Sequence, residues 1–226
     1  MTVPSLENCI KIDKAGEYSM IPLSLTLYSD NITPIVLLHR LNTMSYHSFL
    51  LESVEGGEQW GRYSFLGFDP VKSIECKNSV VLENGKNVGT DPMDYIRRDL
   101  SAYKTPKFEY LPPFTGGYVG FFSYDAVNYF EPAVNIDAAD PLGLPDLKLM
   151  LFDKIICFDH YTQKLTIIIN IRTDDLQTNY KIAKNEFQKL MQLIKAGEQL
   201  NTENPIAGRF SSNMTKDEFI EKVKKI

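Results

Sequence analysis

The spacing of hydrophobic residues predicts three helices in the first 197 residues of the chain. The first begins after a polar cap that precedes Pro34, and its predicted apolar face consists of Ile35, Leu38 and Leu41. The second begins at Asp91-Pro92 and runs to about Tyr103. The third covers Asp175–Ala196 and is closed by Gly197. Its helical spacing is that of Leu176, Tyr180, Ala183, Phe187, Leu190 and Ile194.

Runs of β-branched, aromatic and aliphatic residues predict strands that form hairpins. Two runs, Ser48–Val54 and Arg62–Phe68, flank an exposed loop at residues 55–58. Asn84-Gly85 is a strong hairpin signal between the run Ile74–Leu82 and the segment after Gly85. The other predicted strands are Gly116–Phe122, Leu147–Phe158 and Leu165–Ile171, the last two joined by a hairpin at Asp159–Lys164. Three consecutive isoleucines, residues 167–169, predict a strand that is buried on both faces.

The last thirty residues predict a linker followed by a new helix. Residues 198–212 are polar and lack periodicity, as expected for a linker. Thr215-Lys216-Asp217-Glu218 then has the pattern of a capping box before Phe219, Ile220 and Val223. A protein rarely ends on the second turn of such a helix, so we expect the chain to be part of a longer polypeptide.

Composition places the chain among globular proteins: 43% of its 226 residues are hydrophobic and 12% are aromatic. No apolar stretch approaches the roughly 20 residues of a membrane span, and residues 1–10 do not resemble a signal peptide. A net charge of −5 leaves no basic surplus for nucleic acid. We therefore expect a cytoplasmic protein with neither nucleic acid nor membrane as a partner.

The inventory of catalytic residues is nearly empty. Cys9, Cys76 and Cys157 are widely spaced and predict buried or inert thiols, and the three histidines lack metal-ligand spacing. No nucleophile elbow or nucleotide-binding loop is present. Gly116-Gly117-x-x-Gly120 lies in a strand, where backbone packing is favoured over phosphate binding. We therefore assign no catalytic residue and no metal ligand to this chain.

One group of residues could bind a small zwitterion. Strand alternation places Leu51 and Ser53 on one face and Glu52 on the other, and Arg62 begins the neighbouring strand. Arg62 could bind a carboxylate, Glu52 an ammonium, and Ser53 either group. From the residues alone, a strand leaving the core with a surface ion pair is the favoured alternative.

Four segments, in order, resemble the anthranilate synthase component I family and its relative aminodeoxychorismate synthase component I. They are Leu50–Ser53 with Gly61–Gly67, Phe114–Gly117 through Tyr129–Glu131, Leu144–Asp146 through Phe158–His160, and Ser212–Thr215. The resemblance spans nearly the whole chain. It implies an α+β fold of layered antiparallel β-sheets with flanking helices, as the truncated portion of a larger two-layer synthase. It further implies an N-terminal domain at residues 1–197, a linker at 198–212, and the start of a truncated chorismate-binding domain at 213–226.

The resemblance also implies a function. It assigns Leu51, Glu52, Ser53 and Arg62 to an allosteric tryptophan site, through which tryptophan inhibits the enzyme. The intact protein would be a lyase of tryptophan biosynthesis that uses Mg²⁺ and converts chorismate to anthranilate. Ammonia would come from a glutamine amidotransferase subunit, and the Mg²⁺ ligands and catalytic groups would lie beyond residue 226. Two alternatives stay open: an aminodeoxychorismate synthase component I, and a stand-alone amino-acid-binding module.

Overall fold

A computed structural model of the chain describes residues 2–52, 61–131, 133–134, 140, 142–196 and 212–225. The chain divides into two compact units, Met1–Ala196 and Gly197–Ile226. None of the described helices is long and apolar enough to cross a membrane.

The first unit contains two five-stranded antiparallel sheets and four α-helices. The helices are α1 (Leu6–Asp13), α2 (Pro34–Leu41), α3 (Pro92–Ser101) and α4 (Leu176–Lys195). The strands are β1 (Met20–Tyr28), β2 (Ser48–Glu52), β3 (Tyr63–Phe68), β4 (Lys72–Lys77), β5 (Val80–Glu83), β6 (Lys86–Gly89), β7 (Gly117–Phe122), β8 (Leu147–Phe152), β9 (Lys154–Asp159) and β10 (Lys164–Arg172). A 3₁₀ helix covers Tyr124–Tyr129. These elements confirm the predicted α+β class.

The first sheet has the strand order β1-β10-β9-β3-β2, and the second has the order β6-β5-β4-β8-β7. One face of the first sheet packs against α1, α2 and α4 in the main core, which includes Leu23, Leu66, Ile167 and Phe187. A second core lies between the second sheet and α3. A third core contains Phe152 and Ile168 together with aromatic residues from both sheets. Each sheet therefore has helices on one face and the third core on the other.

The interior strand β10 shows why three isoleucines follow one another. Ile167 and Ile169 belong to the helix-covered core, whereas Ile168 belongs to the third core on the opposite face. All three are buried, because successive side chains of a strand point to opposite faces. The prediction that this strand is buried on both faces is confirmed.

Local capping explains where the predicted helices begin. Thr33 accepts a hydrogen bond from the backbone of Val36 at the start of α2, and Asp91 accepts two backbone hydrogen bonds at the start of α3. The predicted apolar face of α2 was partly wrong, since Ile35 is 61% exposed. Leu41 is buried as predicted, and Pro34 and Leu37 are buried with it, because residues three to four positions apart share a helix face.

Two long apolar runs predicted as single strands are each divided in two. Asn78 and Ser79 adopt positive φ and turn the chain between β4 and β5, so residues 74–82 form a hairpin. The run Leu147–Phe158 is broken at Asp153, because β8 belongs to the second sheet and β9 to the first. The predicted hairpin at Asn84-Gly85 is confirmed, and both residues have the positive φ that its tight turn requires.

The first two elements, α1 and β1, were not predicted. Pro22 lies within β1, and a proline inside an apolar run argues against a central strand. The structure tolerates Pro22 because β1 is an edge strand: β10 lies on one side, and among the described residues its other side forms only an isolated bridge, between Ser24 and Val3. The second unit contains α5 (Lys216–Lys224), which begins with the predicted capping box between Thr215 and Glu218 and has no buried residue.

Candidate functional site

The predicted ligand site lies at the end of the first sheet where β2 and β9 finish and β3 begins. Glu52, the last residue of β2, is exposed and lies opposite Ser64 of β3. Leu51 is 48% exposed and points to the other face, as strand alternation predicts. Ser53 lies outside the described residues. An exposed carboxylate next to an exposed leucine leaves both groups available to a ligand.

Arg62 forms a bidentate ion pair with Asp159, the last residue of β9. Its Nε donates to Asp159 Oδ1 at 3.1 Å and its Nη2 donates to Oδ2 at 2.7 Å. The guanidinium also lies over the ring of Tyr63, 4.8 Å from its centre. The hydrogen bonds from Arg62 lower the pKa of Asp159 from 3.8 to about 2. Arg62 is thus held by Asp159 rather than by Glu52.

Ser64 connects Glu52 to His160. The Ser64 hydroxyl lies 2.7 Å from Nε2 of His160 and 3.4 Å from Oε1 of Glu52, and Ser64 is 2% exposed. A hydroxyl has one proton, and an ionised carboxylate can only accept. Both contacts are satisfied when Nε2 of His160 donates to Ser64 and Ser64 donates to Glu52. These contacts therefore assign a hydrogen to Nε2 of His160.

The two networks are joined through the backbone. The amide of His160 donates to the carbonyl of Arg62 at 2.9 Å. The amides of Tyr161 and Thr162 donate to Asp159 Oδ1 at 3.1 Å and 3.2 Å. The turn after β9 is therefore fixed to the start of β3, and it orients the Arg62 pair and the Ser64 hydroxyl.

The structure brings Leu51, Glu52 and Arg62 to one edge of the sheet but separates them by face. Glu52 shares a face with Ser64, on the side of the helix-covered core. Arg62 and Asp159 instead line a cavity of about 500 Å³ on the opposite side, together with Tyr63, Cys157, Thr166 and Lys164. A ligand that contacts both Glu52 and Arg62 must therefore pass around the end of β3.

Three residues of this region were missed as site residues by reasoning from the sequence: Ser64, Asp159 and His160. If β2 and β3 are taken as a hairpin pair, the alternation of side chains along them places Ser64 beside Glu52. Asp159 and His160 are about one hundred positions away in the sequence. Only the pairing of β3 with β9 brings them to the site.

The part of the chain that the structure describes offers few residues for metal binding or thiol chemistry. Those residues contain no group of three or more His, Cys, Asp or Glu side chains that could hold a metal ion. Cys9, Cys76 and Cys157 are free and buried, as predicted. Burial raises the pKa of Cys9 to about 11 and that of Cys157 to about 12, which keeps both thiols protonated at neutral pH.

Comparison with known proteins identifies the family that the sequence matches. The family described as chorismate binding enzyme matches residues 46–226. The chain is 36% identical to anthranilate synthase component 1 of Acinetobacter calcoaceticus, over 94% of this chain and 44% of that protein. It is 32% identical to the protein of the same name from Acetivibrio thermocellus, over 100% of this chain and 48% of that protein. The chain thus spans about half the length of the curated relatives it matches.

A solved structure also matches the chain in part. The crystal structure of anthranilate synthase component I from Streptococcus pneumoniae TIGR4 has 27% sequence identity and a TM-score of 0.46, covering 73% of this chain and 36% of that one. The family match begins at residue 46, so the boundary expected between an N-terminal and a chorismate-binding domain stays a prediction. Because the match extends over most of the sequence, the chain belongs to the chorismate binding enzyme family.

Proposed function

We propose that this chain is the N-terminal part of an anthranilate synthase component I. The whole protein would convert chorismate and ammonia to anthranilate and pyruvate, a lyase step of tryptophan biosynthesis. The observation that carries the proposal is the similarity, over 94% of this chain, to a protein named anthranilate synthase component 1. Because the chain spans about half of that relative, the activity is proposed for the whole protein.

The proposal for the whole protein includes Mg²⁺, a glutamine amidotransferase subunit that supplies ammonia, and a cytoplasmic location. The described residues contain no group of three or more His, Cys, Asp or Glu that could hold a metal ion. In this proposal the Mg²⁺ ligands lie beyond residue 226. The role of this chain is instead structural and regulatory.

The regulatory role is binding of tryptophan by Leu51, Glu52, Ser53 and Arg62. Glu52 offers an exposed carboxylate that can accept from the ligand ammonium. Arg62 uses two of its five N–H groups for Asp159, which leaves three that can donate to the ligand carboxylate. Leu51 offers apolar surface to the indole. These features support a zwitterionic aromatic ligand.

Tryptophan inhibition of the full-length enzyme tests this role. We expect Glu52→Ala and Arg62→Ala to weaken inhibition about 10- to 150-fold, because each removes a hydrogen bond to a charged ligand group. Ser53→Phe should weaken inhibition further, because it introduces a large ring into the proposed ligand site. Turnover of chorismate should change little, since only the coupling between two sites is lost.

Asp159→Asn is the matched control for Arg62→Ala, because each breaks the same ion pair. It leaves Arg62 in place and should retain tryptophan sensitivity. Equal loss of sensitivity in Arg62→Ala and Asp159→Asn would mean that the ion pair supports the strand end and that Arg62 does not bind the ligand. Full sensitivity in Glu52→Ala would contradict the proposed site altogether.

Product analysis separates the two alternative functions. We expect the full-length protein to form fluorescent anthranilate from chorismate, Mg²⁺ and ammonium, and the chain alone to form none. Accumulation of aminodeoxychorismate instead would identify the folate-pathway relative. Tryptophan binding by a complete protein that lacks any activity on chorismate would identify a stand-alone binding module.

A further inference from the structure

A second cavity, of about 200 Å³, lies where the chain passes from the second sheet to the first. Asp153, the single residue between β8 and β9, lines it. Its apolar walls come from α3, from the segment that follows α3, and from β8. They include Leu100, Tyr103, Leu151 and Phe152. The cavity is larger than the roughly 150 Å³ void that accommodates benzene in another protein.

One carboxylate oxygen of Asp153 has no hydrogen-bond partner. Within the described residues, its Oδ1 is buried and accepts no hydrogen bond. Burial raises the pKa of Asp153, and the nearby Asp69 and Glu186 raise it further. Lys154 acts in the opposite direction, but its ammonium is already paired with Asp69. A buried carboxylate oxygen that accepts no hydrogen bond is costly, so a cationic donor brought to it is favoured.

Asn170 adds a second acceptor to the cavity lining. Its Nδ2 donates to the carbonyl of Thr115 at 2.7 Å and to the carbonyl of Asp153 at 3.0 Å. Both amide hydrogens are thereby used, and only the acceptor Oδ1 is left. Gly116 makes this arrangement possible, since a Cβ at that position would lie 2.8 Å from Nδ2 of Asn170. Asp153 and Asn170 thus favour a ligand that donates hydrogen bonds.

We propose that this cavity binds a small primary ammonium compound with an apolar body. The ammonium donates to Asp153 and to Oδ1 of Asn170, and the apolar body contacts Leu100, Tyr103 and Leu151. The site is distinct from the one at Glu52, because none of the residues that line it belongs to β2 or β3. The proposal does not depend on the activity proposed above.

Two sources share this chemistry: simple aryl-alkyl amines and apolar α-amino acids. Arg172 also lines the cavity, and its guanidinium pairs with Asp174 through an exposed ion pair of 2.8 Å. An exposed ion pair of this kind contributes little to stability, so Arg172 can exchange Asp174 for a ligand carboxylate. Phenethylamine and L-phenylalanine therefore serve as the two probes, and Arg172→Gln should weaken only the second.

Isothermal titration calorimetry of the chain with phenethylamine tests the site. We expect saturable binding that Asp153→Asn weakens about 10- to 150-fold, because it removes the charge and retains the shape. Leu100→Trp should abolish binding by filling the cavity, and it should fold, since Leu100 is 44% exposed. The neutral analogue 2-phenylethanol should bind more weakly than the amine.

Two matched variants serve as controls. Asp94→Asn removes an exposed carboxylate that, like its partner Arg98, does not line the cavity, and Glu52→Ala removes the carboxylate of the other site. Both should bind phenethylamine like the unsubstituted chain. The proposal is overturned if the unsubstituted chain shows no saturable binding of either probe, if Asp153→Asn binds phenethylamine equally well, or if Glu52→Ala abolishes binding.

Discussion

At the scale of single residues, the Arg62–Asp159 pair makes stability depend on pH. The pKa of Asp159 falls from 3.8 to about 2 in the folded protein, so the folded state binds fewer protons than the unfolded state between these values. The stabilising contribution is complete above about pH 4. It is lost as the pH falls from there through about 2.

We therefore predict that Asp159→Asn is less stable than the unsubstituted chain at pH 6 and that this difference shrinks as the pH falls to 2. Urea unfolding at several pH values measures the difference. Asp174→Asn is the control, because its ion pair with Arg172 is more exposed and should contribute less. A stability difference that is the same at pH 6 and pH 2 would contradict the role assigned to this pair.

At the scale of elements, the pairing of β2 with β3 depends on one glycine beneath one aromatic ring. Phe49 of β2 lies opposite Gly67 of β3, and a Cβ on Gly67 would lie 2.1 Å from Cε1 of Phe49. The same ring packs edge-on against Phe152, with 4.8 Å between ring centres. Gly67 therefore provides the space that lets Phe49 join the two sheets.

We predict that Gly67→Ala destabilises the chain by about 1–3 kcal/mol through overpacking. Phe49→Leu removes part of the obstructing ring, so the double variant should be more stable than the sum of the two single effects predicts, by about 1 kcal/mol or more. Chemical denaturation measures the free energy of unfolding of the unsubstituted chain, the two single variants and the double variant.

Gly120→Ala provides the contrast, because its Cβ would lie 2.0 Å from the backbone oxygen of Lys148. A backbone obstacle cannot be relieved by truncating a side chain, so Phe49→Leu should not rescue Gly120→Ala. Simple additivity between Gly67→Ala and Phe49→Leu would show that the ring is not what excludes a side chain at position 67.

At the scale of the whole molecule, β7 forms one edge of the second sheet, and no other described strand pairs with its outer side. Phe121 is 44% exposed and Phe122 is 46% exposed, and the strand contains neither a charged residue nor a proline. Natural edge strands are usually protected by such residues. The chain by itself therefore presents an apolar strand edge.

We predict that the chain self-associates with increasing concentration and that Phe121→Lys reduces this association. Sedimentation velocity over a range of concentrations measures it, together with binding of a hydrophobic dye. Tyr46→Lys is the control, because Tyr46 is fully exposed and lies outside β7. A monomer at all concentrations, or an equal effect of both substitutions, would contradict a role for the β7 edge.

The sequence by itself determined those features that depend on neighbours along the chain. Helix starts at Thr33, Asp91 and Thr215 follow from local hydrogen bonds between a cap side chain and the next turn. The turn at Asn84-Gly85 follows from the positive φ that these residues tolerate. The resemblance to anthranilate synthase component I also came from local segments, and the match of the chorismate binding enzyme family to residues 46–226 confirmed the family.

The tertiary structure decided which strands share a sheet and which side chains meet. The run 147–158 is interrupted at Asp153 and Lys154, but two charged residues do not show that the strands on either side belong to different sheets. Arg62 was expected to serve a ligand, yet its bidentate partner Asp159 reaches it only through the pairing of β3 with β9. Contacts between positions a hundred residues apart depend on strand order and register, which the packing of the whole molecule determines.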